Sequence, residues 1–316
     1  MPSLRRSSEN PILLPNKENA WESEAVFNGS VVKVGRTYHM LYRATSLPMD
    51  VAGTTLELST IGHAKSKDGV HFGERKQLIV PEHEWEKYGC EDPRITKLDD
   101  TYYIFYTALS TYPFGADGIK VAVAKTKDLK KIDEKHLVTP FNAKAMALFP
   151  EKINGKYAAV LTAHTDRPPS KIALALFDRE EDIWSEDYWR AWYAALDVHT
   201  LPLQRTGNDQ VEVGAPPVKT KYGWLIIYSY IKNYFAASGR VFGVEAALLD
   251  LKDSSKIIAH TYKPIFVPED EYEEYGRIPH IVFPSGAVIE GKKLHIYYGA
   301  TDTTCCVISG KLDDFM

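Results

Sequence analysis

Gly35-Arg-Thr-Tyr-His-Met-Leu-Tyr-Arg43 opens on a polar turn and runs into an aromatic, β-branched strand. The same design returns as Asp100-Thr-Tyr-Tyr-Ile-Phe-Tyr-Thr107, Asn154-Gly-Lys-Tyr-Ala-Ala-Val-Leu-Thr162, Lys221-Tyr-Gly-Trp-Leu-Ile-Ile-Tyr-Ser229 and Gly291-Lys-Lys-Leu-His-Ile-Tyr-Tyr-Gly299. An all-strand repeat at intervals of roughly 45 to 60 residues points to propeller blades. Each copy follows a strand that ends just before the turn, as in Ala25-Val-Phe-Asn-Gly-Ser-Val-Val32 and Asp92-Pro-Arg-Ile-Thr-Lys-Leu98. Short connections built on Gly, Asp and Asn are hairpin chemistry. A third, small and apolar strand comes after each copy, for example Ile119-Lys-Val-Ala-Val-Ala124 and Val244-Glu-Ala-Ala-Leu-Leu249.

Fourth, outer strands are expected at Gln77–Val80, His136–Val138 and Pro264–Val267, and at Pro11–Leu14 for the last blade, which would close the ring with both chain ends. A β-sandwich also alternates and turns often, but it does not require five similar triplets in one order. The reading is an all-β, five-bladed β-propeller occupying residues 1–316 as one domain. Helical signals are weak; the best is Glu180–Ala195, a short helix or a long loop.

With 316 residues, 44% of them hydrophobic, and a net charge of −4, the chain has length enough for a core and no basic patch, which argues against nucleic acid. No apolar run is long enough to cross a bilayer. The first ten residues lack the apolar stretch of a signal peptide, and three Cys make no disulfide framework, so a cytoplasmic location is expected. No His/Cys cluster has metal-ligand spacing, and no phosphate-cradling Gly loop or nucleophile elbow occurs. Neither a metal nor another cofactor is therefore expected. Oligomeric state is left open.

In a propeller, sites gather around the central channel, where the inner strands bring Asn28, Glu91, Asp92, Arg94 and Glu212. Glu91-Asp-Pro-Arg94 is the sharpest local signal. Pro93 lacks an N–H and suits a strand start, and a carboxyl in a concave site can act as a general acid. Glu212 alternates with Val211 and Val213, Glu245 interrupts an apolar strand, and Asp302 follows the last middle strand. Paired carboxylates suit glycoside hydrolysis, one as acid and one activating water. An acidic turn with a surface ion pair is the plainer reading of Glu91-Asp-Pro-Arg94, and a rim ion pair that of Arg43.

Taken together, Ala25-Val-Phe-Asn-Gly29, Tyr42-Arg43, Glu91-Asp-Pro-Arg-Ile95, Ala147-Leu-Phe-Pro-Glu-Lys-Ile-Asn-Gly-Lys-Tyr157, Gly214-Ala-Pro-Pro-Val-Lys-Thr220, Val282-Phe-Pro-Ser-Gly286 and Tyr297-Tyr-Gly-Ala-Thr-Asp302 resemble glycoside hydrolase family 130, the mannoside phosphorylases and related β-mannosidases. The resemblance implies a five-bladed propeller that cleaves a β-mannosidic bond with inversion. It places the general acid on Asp92, in some members through the sugar's 3-hydroxyl, and matches Asn28, Arg43 and Asp302 to mannose-holding positions. Phosphorylases of the family bind phosphate through basic side chains. At those places this chain reads Thr162, Gln210 and Ser229, with Glu212 and Glu245 close by in sequence.

Phosphate needs cations, so the expectation is the hydrolytic branch: an inverting exo-β-mannosidase acting on β-1,2-linked manno-oligosaccharides, with phosphorolysis as the alternative. The expected catalytic set is Asp92 with Glu212 or Glu245 as base. The expected substrate-binding set is Asn28, Arg43, Glu91, Arg94, Lys144 and Asp302. His164, Arg167 and Lys171 could restore a phosphate site. Tyr112, Phe114, Tyr234 and Phe235, on the loops at 110–117 and 233–240, are candidates to stack a second sugar.

Overall fold

A computed structural model describes residues 3–236 and 238–315; Ala237, in the loop at 233–240, lies outside the described residues. Five antiparallel sheets follow one another along the chain and form a five-bladed β-propeller. Blade one runs Ala25–Val34, Thr37–Val51, Thr54–Ser66, Gly73–Ile79 from channel to rim. Blade two is Cys90–Leu98, Thr101–Leu109, Ile119–Thr126, Glu134–Leu137. Blade three has three strands, Ala143–Leu148, Tyr157–Ala163 and Lys171–Phe177.

Blade four has an inner strand split into Gln210–Val213 and Val218–Lys219, then Trp224–Lys232, Val241–Leu249 and Ile257–His260. Blade five is Val282–Glu290, Lys293–Ala300 and Thr304–Lys311, completed by Arg5–Arg6 from the other chain end. The ring closes through both ends as expected, but with Arg5–Arg6; Leu13 makes only an isolated bridge to Cys305. Likewise Ile257–His260, not Pro264–Val267, is the outer strand of blade four.

Alternation along the strands buries two apolar faces per blade, and the core lies as layers between neighbouring blades. Between blades three and four Phe149 meets Trp224 edge to face, with ring centroids 5.0 Å apart. Among the described residues blade three has no fourth strand, and the helix Glu186–Ala194 covers it instead. Trp189 and Trp192 pack that helix against Phe141, and their indole N–H groups donate to Ile183 O and Leu174 O.

A second repeat lies in the loops. Pro81-Glu-His-Glu-Trp-Glu-Lys-Tyr-Gly89 and Pro268-Glu-Asp-Glu-Tyr-Glu-Glu-Tyr-Gly276 are near copies, and Ala20-Trp-Glu22 is a shorter one. Each holds a short helical turn just before an inner strand. Each buries a Glu completely, at Glu22, Glu86 and Glu273. The middle-strand tyrosine of the same blade donates to it: Tyr42 at 2.7 Å, Tyr106 at 2.6 Å and Tyr298 at 2.6 Å. An outer-strand cation of the same blade faces it: Arg75 at 3.6 Å, Lys135 at 2.9 Å and Arg6 at 2.8 Å.

A buried carboxylate without partners is very costly, so each latch holds three parts of a blade in one arrangement. Replacing Lys135 by Met is expected to destabilise the fold by about 3–5 kcal/mol, because Glu86 loses its counter-charge. Tyr106→Phe should cost about 1–3 kcal/mol. Urea denaturation measures both; a Tyr106→Phe protein as stable as wild type would refute the latch.

Candidate active site

The channel mouth is shaped by bulges at matching places in the inner strands. Pairing skips between Phe27 and Ser30, between Glu91 and Arg94, and between Lys144 and Ala147. The bulged residues Asn28, Asp92 and Ala145 take φ of 52°, 51° and 50°. Asn and Asp tolerate this left-handed backbone better than most residues, and a bulge re-aims its side chain. The result joins blades one and two: Asn28 Nδ2 donates to Asp92 Oδ1 at 2.8 Å. Gly299 leaves the room for this, since a Cβ there would come within 2.3 Å of Asn28 Oδ1.

Arg43 lies across the strand pair from Phe27 and stacks on its ring at 4.8 Å. Its guanidinium reaches Glu91 Oε1 at 2.6 Å and Asp92 Oδ1 at 3.8 Å, and Nε donates to Ser59 Oγ at 3.0 Å. Burial works against the Arg43 charge, but Glu91, Asp92 and Asp302 outweigh it and hold its pKa up. Burial raises the Glu91 carboxyl, with Asp92 adding to the rise and Arg43 opposing it. Asp302 is pushed up to about 6, first by burial and then by Asp92 and Glu91, against Arg43.

Blades three and four add a second group. Lys144 Nζ donates to Asp166 Oδ1 at 2.9 Å. Burial works against its charge, while Asp166, Glu212 and Glu91 hold it in place. Gln210 Nε2 donates to Glu212 Oε1 at 2.9 Å. The Glu212 carboxyl is raised by burial, with Asp166 and Asp92 adding and Gln210 and Lys144 opposing. Arg43, Glu91, Lys144 and Asp166 line a cavity of about 380 Å³ together with the apolar Leu109, Phe114 and Ile119. Carboxylates, cations and an apolar wall converging on one cleft suit a sugar, which has hydroxyl edges and an apolar face.

The family model described as β-1,4-mannooligosaccharide phosphorylase, glycoside hydrolase family 130, matches residues 3–316. The chain belongs to glycoside hydrolase family 130. A 1,2-β-oligomannan phosphorylase of Thermoanaerobacter sp. (strain X514) is 36% identical over 322 residues, covering 99% of each chain. A β-1,2-mannobiose phosphorylase of the same organism is 37% identical over 312 residues, covering 95% of this chain and 94% of its own. The solved β-1,2-mannobiose phosphorylase of Listeria innocua, in complex with β-1,2-mannobiose, superposes with a TM-score of 0.78 at 26% identity, covering 99% of this chain and 98% of its own.

Of the residues singled out in the sequence of this family 130 chain, Asn28, Arg43, Glu91, Asp92 and Asp302 come together at the mouth, with Lys144 and Glu212 beside them. Arg94 is fully buried beneath them: it donates to the backbone oxygens of Gly214, Asp92 and Pro93, so it positions Asp92 rather than lining the cleft.

Glu245 does not join the group. It is fully buried, held by Arg205 at 2.7 Å through both carboxylate oxygens and by Tyr228 Oη at 3.1 Å. This is blade four's form of the Tyr–Glu–cation latch, and a carboxylate so fixed cannot hold a water as base. The reserve cations are also committed elsewhere: Arg167 to Asp117, Lys171 to Asp197, and His164 to the Tyr193 hydroxyl.

Asp166 was not singled out, because Thr165-Asp-Arg167 reads as an ordinary turn; its partners Lys144 and Asn142 lie more than twenty residues away. No group of three or more His, Cys, Asp or Glu could hold a metal among the described residues, and none of their helices is long and apolar enough to cross a membrane.

The Asp302 shift has a definite sign. Its carboxyl lies near 6 in the folded chain against an ordinary 3.8, so the charged form opposes folding above about pH 6. Asp302→Asn should therefore raise the thermal midpoint at pH 8, and the gain should shrink as pH falls from 6 to 4. Melting curves over pH 4–8 check this; an equal gain at both ends would contradict it.

Proposed function

We propose that this chain is an inverting β-mannoside phosphorylase acting on β-1,2-linked manno-oligosaccharides. The observation that carries this reading is the 36–37% identity, over nearly the whole length, with two phosphorylases named for such substrates. The site's own geometry is compatible with it. Arg43, Asn28 and Asp302 can hold the terminal mannose by charge-assisted hydrogen bonds. Asp92, fixed by Asn28, stands as the general acid. Lys144 lines the cleft and has N–H groups beyond the one bonded to Asp166.

In the reaction, a phosphate oxygen attacks the anomeric carbon from the face opposite the leaving group. The bond from that carbon to the glycosidic oxygen breaks, and the proton delivered from Asp92 ends on the departing oxygen. The products are mannose 1-phosphate of inverted configuration and a mannoside one unit shorter. The expectation of hydrolysis as the main activity gives way to this reading.

Hydrolysis remains as the second reading because of one local observation. Thr162, Gln210 and Ser229 are neutral and buried, and Glu212 stands among them opposite Ser229. Glu212 could there activate a water, as inverting glycosidases require.

The test is product analysis on β-1,2-mannobiose with and without phosphate. The proposal expects mannose 1-phosphate, formed only when phosphate is present. Free mannose released at the same rate without phosphate would overturn it and establish the second reading. In either case Asp92→Asn should lower kcat by about 10²–10⁴-fold while substrate still binds, as read by calorimetric titration.

A further inference from the structure

The cleft continues outward from the catalytic group along the loop that joins the second and third strands of blade two. Phe114 forms part of the cavity wall with Leu109 and Ile119, yet half of its surface is open, at 49% relative exposure. Tyr112 stands edge to face against it at 5.3 Å and is 45% exposed. Two adjacent large rings left open, one of them lining a polar cleft, make an exposed aromatic patch of the kind that marks a ligand site.

The loop beneath them is braced rather than loose. Ser110 N donates to Gly118 O at 2.9 Å, and Gly118 N donates to Gly115 O at 2.9 Å. Gly118 packs closely here, since a Cβ would lie 2.1 Å from Thr111 Oγ1 and displace that side chain. Asn142 Nδ2 reaches Ala116 O at 3.2 Å and Asp166 Oδ2 at 2.9 Å, and Asp166 in turn holds Lys144. The ring platform and the Lys144–Asp166 pair that lines the cleft thus hang on one hydrogen-bonded strut. Tyr234 lies instead under Arg240, at 4.7 Å, in a different loop.

We propose that Tyr112 and Phe114 form the subsite for the leaving-side mannosyl units, with Asn142 as the residue that positions this platform relative to Lys144. The occupant is the part of the β-mannoside beyond the scissile bond: its apolar ring face lies on the aromatic rings while its hydroxyls face Lys144, Asp166 and Glu91. The inference rests on the proposed β-mannoside activity but not on whether phosphate or water attacks.

The test compares kcat/KM on β-1,2-mannotriose with kcat/KM on β-mannosyl fluoride, whose leaving group is too small to reach the platform. Both are measured with and without phosphate. Phe114→Ala and Tyr112→Ala should each lower the mannotriose-to-fluoride ratio by about 3- to 10-fold. Phe114→Trp, which keeps a ring, should hold the ratio within about twofold. Asn142→Ala should lower the same ratio, mainly through KM for mannotriose. An unchanged ratio in the two alanine variants, equal losses on both substrates, or a Phe114→Trp ratio as low as that of Phe114→Ala would overturn the subsite. A wild type inactive on both substrates under both conditions would overturn the proposed function, and the subsite with it.

Discussion

Completely buried carboxylates are the constraint on which this propeller depends. Glu22, Glu86, Glu245 and Glu273 have no exposed surface, and each is paired with a tyrosine hydroxyl and a cation. Removing either partner leaves a charge in a medium that cannot solvate it, so these triads tolerate little displacement. In blades one, two and five the Glu sits in the short helical turn that precedes the inner strand and the cation on the outer strand. Sheet hydrogen bonds fix neighbouring strands; the latch additionally ties the incoming loop to the blade it enters. Blade three puts Leu161 where the others have the tyrosine. There an apolar helix face, anchored by Trp189 and Trp192, does the covering.

That rigidity matters at the channel mouth because the site is assembled from different blades. The Asn28–Asp92 bond crosses from blade one to blade two, and Arg94 crosses from blade two to Gly214 of blade four. A small shift between blades would separate Asp92 from the asparagine that orients it. The site also concentrates charge. Glu91, Asp92, Asp166, Glu212 and Asp302 face Arg43, Arg94 and Lys144, an excess of acids that burial makes more costly. The raised carboxyl pKa values of Glu91, Glu212 and Asp302 are the consequence. Such tension is the expected state of a catalytic cleft whose ligand supplies the missing hydrogen-bond partners.

The blades were legible in the sequence because alternation and polar turns are local signals, and each triplet repeats them. Asp92 was legible because Glu91-Asp-Pro-Arg94 gathers acids, a proline and a cation at an inner strand, and Asn28 because it lies on an inner strand and matches the family's pattern; that both stand at bulges in left-handed backbone shows only in the structure. What eluded the sequence was long-range pairing. Glu245 looked like a site acid because a carboxylate inside an apolar strand is conspicuous; its neighbour across the sheet, Tyr228, and its cation, Arg205, are both distant in the chain. The Pro-Glu-x-Glu-aromatic-Glu repeat does not announce its role because it falls in loops, where acids are ordinarily solvated. Arg5–Arg6 was too short to announce a strand, and its pairing with Ile308 and Ser309 depends on ring closure.

Glu212 concentrates what divides the two reactions open to this fold. A phosphate dianion beside an ionised Glu212, with Lys144 as the neighbouring cation not committed to backbone carbonyls, would meet net repulsion. The same anion beside a protonated Glu212 would gain a donor, since a neutral carboxyl can share its hydrogen with a phosphate oxygen. Water attack imposes the reverse condition, because a base must be ionised to take a proton. Burial, Asp166 and Asp92 all favour the protonated form of Glu212, and Gln210 and Lys144 favour the ionised one. On the proposed reading, phosphorolysis and hydrolysis ask for opposite charge states of Glu212, and these five influences pull that side chain in opposing directions.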